Sequence, residues 1–448
     1  MTQPVQNHLM FAHFGSKSDT LLAKLQSRNF HRFDPRTADV LFLTMPPKGT
    51  IKNVSSVKWR PAASASSTTR AIFAAQEDHL TFKTVTDDNQ PMACKSRTNG
   101  FKLGSDFSGI SCESIACKAL NLHTNHVFFC ENLPAARKIL EQSHLPRIIQ
   151  EDVASRDPGA TPKVDVFFAT FPWQPFSQAG LRNGVSDSRG LLVENSLEYI
   201  RQHPPKAIIF ENVNKILSPK VMPLVKYIKD ELEALNYDVH ERVSNVKDYL
   251  VPQNRSRWYM VALTAGSKSF NWPGKLVGGP FQPLTLSQIV KPLSTARWRA
   301  LPPADKKVAK TNVENAYKKF AQKGINPFER HIVIDVGASS KFAYARLEMS
   351  PCLTRTRAGS LGYWDSVKGG PLNVGEMCKL MGFKKSALDV TDIKDRTLAA
   401  CLGNGCSVTF LTFLIPEVLF AIDLISKRDL NLLRQRAEVH RLMLGMRP

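Results

Sequence analysis

Two hydropathy regimes alternate along this chain. Short apolar runs at Val127–Glu131, Val164–Ala169, Ala207–Phe210 and Trp258–Leu263 have the length and aromatic or β-branched content of strands buried on both faces. Amphipathic stretches separate them. Gly190–Gln202 has a helical pattern, another helix runs through Leu120, and Val313–Lys323 carries a third. The tail from Ile425 reads as a basic amphipathic helix with Leu430, Leu433 and Ala437 on one side. Pro172 ends the Val164 run, and Pro204-Pro205 breaks the chain before the Ala207 run. Residues 164–213 thus predict a strand–loop–helix–strand unit. Its first loop lies at a carboxyl end of the sheet, where doubly wound sheets bind ligands. Nearer the N-terminus, His79–Val85 alternates like one half-buried strand.

Composition narrows the reading. At 448 residues the chain has length for two or three domains, and no apolar run reaches the roughly 18 residues that span a bilayer. A formal net charge of +21 points to a polyanionic partner, DNA or RNA. Eight cysteines without paired CxxC spacing indicate neither a zinc site nor a disulfide framework, so a reducing compartment and no metal are expected. Up to about residue 75 the chain is basic, acid-poor and serine-containing, like an organellar transit peptide. The absence of Lys and Arg from its first 16 residues favours instead a basic arm or small domain touching nucleic acid or a partner.

The chemistry-bearing motifs follow a fixed order. Asp106-Phe107-Ser108-Gly109 opens a helix, and Val127–Glu131 is a strand ending in an acid. Phe171-Pro172-Trp173-Gln174-Pro175-Phe176-Ser177 precedes Asp187-Ser188-Arg189-Gly190, then Glu211-Asn212-Val213, then Gln253-Asn254-Arg255-Ser256-Arg257. Arg346 to Arg357, containing Ser350-Pro351-Cys352-Leu353-Thr354, and Leu402-Gly403-Asn404-Gly405-Cys406-Ser407 close the series.

In this order the motifs resemble those of the DNA cytosine-5 methyltransferases. The resemblance covers residues 101–275 and 344–420. It implies an α/β, Rossmann-like S-adenosylmethionine-dependent methyltransferase fold, a mixed and mostly parallel sheet with a small inserted target-recognition-like domain. It further implies five parts: a basic extension (1–100), the first core part (101–275), the insert (276–345), the closing core part (346–424) and a C-terminal helix (425–448). By the same resemblance Phe107, Gly109, Glu131, Asp152, Pro172, Asn404 and Ser407 would hold S-adenosylmethionine. Glu211, Arg255 and Arg257 would engage a flipped cytosine, with Glu211 assisting protonation at N3. In the basic insert and the motif after it, Lys306, Lys307, Lys318, Lys319, Arg355 and Arg357 would meet nucleic acid, although Val313–Lys323 reads equally well as a helix with a solvated basic face.

The chain departs from the family pattern at four positions. Ser111 and Cys112 replace glycines of the cofactor loop, Asn132 replaces an aromatic residue, and Trp173 stands where the family has its nucleophilic cysteine. An indole cannot act as the thiolate that adds to cytosine C6. The expectation is therefore a catalytically inactive relative that binds nucleic acid or scaffolds a nucleoprotein complex, in chromatin or in a ribonucleoprotein such as an organellar ribosome. Its setting would be intracellular, nuclear or mitochondrial rather than secreted, with protein partners met through the N-terminal extension and the C-terminal helix. The alternative is an active methyltransferase in which Trp173 is an engineered or artefactual replacement of cysteine, whose codons differ from that of tryptophan only at the third base.

Overall fold

The computed structural model describes residues 100–172, 191–279, 281–291, 301–339 and 343–446, together with four short strands nearer the N-terminus. Trp173 and the rest of its motif to Ser177, together with the Asp187–Gly190 motif, lie outside the described residues. The chain divides into two compact units, Met1–Gln90 and Pro91–Pro448. In the first unit β1 (Thr69–Arg70) pairs with β4 (Val85–Thr86), and β2 (Ala74–Gln76) pairs with β3 (His79–Thr81), all antiparallel. The single strand expected over His79–Val85 is therefore two, each paired with a different partner.

The second unit is built on a seven-stranded sheet of order β10-β11-β9-β8-β5-β6-β7. Its strands are β5 (Phe101–Asp106), β6 (Thr124–Cys130), β7 (Ile148–Gln150), β8 (Val166–Ala169), β9 (Ala207–Val213), β10 (Tyr237–Asn245) and β11 (Ser256–Thr264). The strands from β9 to β7 in that order are parallel, and β10 and β11 are antiparallel additions at one edge. Side-chain alternation divides each central strand between two cores. Val166 and Phe168, Ala207 and Ile209, and Tyr259 and Val261 face one core. Phe167 and Ala169, Ile208 and Phe210, and Trp258 and Met260 face the other. Solid apolar runs are what a sheet covered on both faces requires.

Of the crossover helices, α1 (Cys112–Ala119) packs its apolar side chains into the first core, joined by Ala136 and Ile139 of α2 (Pro134–His144). Residues of α3 (Leu191–Gln202) and α4 (Met222–Ala234) fill the second. A short α5 (Leu286–Ile289) lies early in the stretch 276–345. There α6 (Lys307–Ala321) buries Asn312, Val313, Ala316 and Phe320 beside a four-stranded antiparallel sheet. That sheet comprises β12 (Ile332–Asp335), β13 (Ala345–Leu347), β14 (Tyr363–Asp365) and β15 (Gly370–Pro371), so its strands come from both sides of residue 345. β13 completes the register of β12, and Trp364 of β14 joins Ile332 and Ile334 in one core with α6.

The closing segment supplies α7 (Arg355–Gly359), α8 (Val374–Met381), α9 (Asp395–Asn404), α10 (Val408–Ala421) and α11 (Lys427–Met443). Helix α10 is apolar all round and almost wholly buried, as a core helix is. Among the described residues no single helix is long and apolar enough to cross a membrane. One bent pair, α9 with α10, meets that test by composition. Leu430, Leu433 and Ala437 of α11 are buried in the first core, and Arg434 pairs with Glu417 of α10. The apolar face of this helix is therefore used within its own unit.

Candidate active site

Strand order reverses between β5 and β8, and the chain ends of these two strands meet there. The Thr170 hydroxyl donates to the Phe107 carbonyl at 2.7 Å, and the Asn212 side-chain amide donates to the Phe171 carbonyl at 2.8 Å. Asn212, the middle residue of the Glu-Asn-Val motif, thus clamps Phe171, two residues before Trp173 in sequence. Pro172 is exposed beside it.

On one side lies the Gly109 turn. Gly109 has φ +55, and a Cβ built there would meet nothing within 4 Å, so the turn keeps an open face. The Gly109 amide donates to Glu131 Oε2 at 2.7 Å, and the Leu133 amide donates to Glu131 Oε1 at 2.7 Å. Two of the roughly four acceptor positions of this carboxylate are used, and the others are free for hydroxyls. The two replaced glycines leave the turn intact. Ser111 holds a left-handed backbone (φ 52) and directs its hydroxyl into the interior, to Glu113 Oε1 at 2.7 Å. The Cys112 sulfur lies 2.9 Å from where a Cβ on Gly405 would stand, so it fills the seam between α1 and the closing motif. Both side chains face protein, so neither enters the open face of the Gly109 turn. Asp152 is exposed and accepts from its own Ala154 amide at 2.9 Å; Asn404 is exposed at the end of α9, and Ser407 caps α10 through the Phe410 amide.

On the other side lies a buried charge cluster. Glu211, at the carboxyl end of β9, is 4% exposed and ion-pairs with Arg257 Nε at 3.1 Å, yet its Oε1 makes no well-aligned hydrogen bond. Burial pushes the Glu211 carboxyl up, while the charges of Arg257 and Arg255 draw it back down. The register of β11 against β9, with Tyr259 opposite Glu211 and Arg257 opposite Val213, sets this pairing. Arg255 is 1% exposed and turned to structural partners. It donates to the Leu353 carbonyl at 2.7 Å and to the Gly405 carbonyl, which joins the last two motifs to β11. Gly403 permits that junction, since a Cβ there would lie 2.3 Å from the Arg355 amide nitrogen.

The basic residues are divided. Lys306, Lys307, Lys318 and Lys319 are exposed on the solvent side of α6, and Arg355 is exposed at the start of α7. Arg357 instead pairs with Asp335 at 3.3 Å. Sequence reasoning assigned no individual role to Asn212, Gln253, Arg156 or Cys352. Gln253 is fully buried and donates to the Leu380 carbonyl at 2.9 Å, and Arg156 forms a fully buried pair with Asp106, whose carboxylate Ser196 also contacts. Their sequence signal is a polar residue within an apolar context, which names no partner. Among the described residues there is no cluster of metal-ligating side chains.

Comparison with known proteins agrees with this arrangement. The family of C-5 cytosine-specific DNA methylases matches residues 101–419. Type II methyltransferase M.NlaIV of Neisseria lactamica is 35% identical over 155 residues, 33% of this chain and 35% of that protein. Type II methyltransferase M.HpaII of Haemophilus parainfluenzae is 42% identical over 118 residues, 25% of this chain and 33% of that protein. The chain thus matches about a third of the length of these relatives. Among solved structures, Entamoeba histolytica methyltransferase EhMeth (15% identity, TM-score 0.50) and a Spodoptera frugiperda DNMT2 mutant (17%, 0.50) share the fold; each covers 71% of this chain, and 98% and 99% of its own. With the family match spanning most of the chain, this protein belongs to the C-5 cytosine-specific DNA methylase family.

Proposed function

We propose that this chain is a DNA cytosine-5 methyltransferase with intact base-binding and cofactor-binding halves, in which residue 173 decides whether methyl transfer runs. The family uses S-adenosylmethionine, which supplies an electrophilic methyl group when bound. The observation that carries the reading is the Glu211–Arg257 pair, two charges buried together on the β9–β11 side of the switch point, whose ion-paired oxygen makes no well-aligned hydrogen bond. Such a group costs stability unless a ligand completes it. A cytosine turned out of the duplex would do so, its N3 edge meeting Glu211 and its carbonyl edge meeting Arg257. Gly109 and Glu131 would hold the donor. The exposed lysines of α6 would meet phosphates, with the insert acting in target recognition.

With Trp173 in place, no thiolate is available from the family's usual position to add to C6. The unaltered chain is therefore expected to bind S-adenosylmethionine and DNA without transferring methyl groups, and Trp173→Cys to methylate cytosine. Calorimetric titration with the cofactor, followed by labelled-methyl transfer to DNA by both proteins, tests this. A Trp173→Cys variant that binds both ligands yet transfers nothing would defeat the reading. That outcome would favour the second reading, to which Trp173 itself points: an inactive nucleic-acid-binding scaffold of DNA or RNA complexes. Absence of cofactor binding would remove the proposed role of Gly109 and Glu131.

A further inference from the structure

We propose that Cys352 is a reactive thiol site that takes an oxygen atom from a hydroperoxide, held between the guanidinium groups of Arg255 and Arg257. The segment carrying it is pinned to the end of the Gln253–Arg257 motif. Ser350 bridges Gln253, accepts from the Asn254 amide at 2.9 Å and donates its own amide to the Pro252 carbonyl at 2.7 Å. Two residues on, Cys352 Sγ lies 3.3 Å from Arg255 Nη1 and 3.7 Å from each terminal nitrogen of Arg257.

Two further observations set this sulfur apart. Among the seven described cysteines, Cys352 alone is partly exposed and the other six are buried. Arg255, 1% exposed, keeps its Nε without an acceptor, while its terminal nitrogens reach the thiol and the Leu353 and Gly405 carbonyls. An anionic oxygen carried on Sγ would add an acceptor beside two guanidinium groups. The electrostatics agree: burial opposes ionisation of Cys352, but the charges of Arg255 and Arg257 outweigh it and hold the thiol below its ordinary value. Burial pushes the thiols of Cys112, Cys130, Cys378, Cys401 and Cys406 up.

The chemistry balances. After the thiol proton has left to solvent, a sulfur lone pair attacks one peroxide oxygen, forming the S–O bond as the O–O bond breaks. The departing oxygen leaves as hydroxide or alkoxide and takes a proton to become water or an alcohol. Sulfur is oxidised by two electrons and the peroxide reduced by two, leaving a sulfenate beside two cations, which free thiols can reverse. None of this depends on methyl transfer.

The test uses the full chain, reduced and then pulsed with iodoacetamide between pH 5.5 and 9, with each cysteine quantified by peptide mass spectrometry. Cys352 should label fastest of the described cysteines, with a midpoint below the roughly 8.5 of a free thiol. Each unit of lowering raises the thiolate fraction about tenfold and lowers its nucleophilicity about threefold. A net gain near threefold per unit is therefore expected at pH 7. After hydrogen peroxide, dimedone should mark Cys352. Arg257→Met should move the midpoint upward, whereas Arg257→Lys, which keeps the charge and serves should the Met variant fail to fold, should hold it below 8.5. A midpoint at or above 8.5 in the unaltered protein, or a low midpoint with no dimedone adduct, would overturn the assignment.

Discussion

The two ends of the cleft differ in what they bury. At the β9–β11 end the buried groups are charges: Glu211 against Arg257, with Arg255 and the Cys352 thiol alongside. At the β5–β6 end, apart from the Asp106–Arg156 pair, the groups packed behind the Gly109 turn form a largely uncharged network. Ser111 and Ser114 share a hydrogen bond, Ser114 reaches His126 Nδ1 at 2.9 Å, and His144 Nε2 donates to the Ile110 carbonyl at 3.1 Å within the Gly109 turn. Burial pushes the Glu113 carboxyl up and both imidazoles down, which favours the neutral form of each. A neutral network fixes a backbone shape and holds it. A desolvated charge pair with a poorly aligned hydrogen bond costs stability, and such pairs cluster where a ligand uses them.

The largest test of that contrast is Glu211→Gln. In a Trp173→Cys background it should lower methyl transfer about 10²–10⁴-fold, the usual weight of a positioned proton donor. Folding stability in urea should fall by less than the about 3–5 kcal/mol of a broken buried pair, because the amide fills the same space and its oxygen can still accept from Arg257. A loss of several kcal/mol would show that Glu211 holds the fold together and is not kept for a ligand.

Next in size is Arg257→Met. It strands Glu211 without its nearest cation, and breaking a buried pair from one side costs about 3–5 kcal/mol. The sign with pH follows from the raised carboxyl. A group whose pKa is higher in the folded state keeps its contribution at low pH and loses it as pH rises through the folded value. The deficit of Arg257→Met should therefore be larger at pH 8 than at pH 5, as read from urea midpoints at the two values. A deficit independent of pH would mean that Glu211 does not stay buried in the variant.

Much of this site is legible in the sequence because its residues stand at strand ends. Glu131 follows the β6 run, Glu211 lies near the end of β9, and Arg257 enters β11, so a correct strand assignment already places them on one edge. What is not legible depends on direction or distance. Ser111 reads as a lost glycine, yet it keeps the left-handed turn because its hydroxyl finds Glu113 inside the core. Cys352 stands 97 residues from Arg255 and 95 from Arg257, and the Ser350 bridge with the Arg255–Leu353 hydrogen bond brings them together. Arg156 and Asp106, 50 residues apart, are likewise joined by packing alone. The insert sheet crosses residue 345 because β13 belongs to the register of β12, which composition does not record.

The smallest expected effect probes the neutral end. His126 is held near pKa 4 and His144 near 3, burial being the main cause for each, and their rings stack 6.0 Å apart. An unfolded histidine titrates near 6.5, so between about pH 6.5 and 4 the unfolded chain binds protons that the folded chain refuses. A group whose pKa is depressed on folding gives stability that is present at higher pH and lost as pH falls. Stability should therefore drop on acidification by up to about 1.4 kcal/mol per pH unit for each histidine. His144→Phe should flatten the slope by one such contribution, since phenylalanine fills the site without a proton to take up. It also leaves the Ile110 carbonyl without its donor, so the Gly109 turn should loosen and cofactor affinity fall modestly at every pH. An unchanged acid slope in the variant would mean that His144 is protonated and paired in the folded chain, and that the contrast between the two ends does not hold.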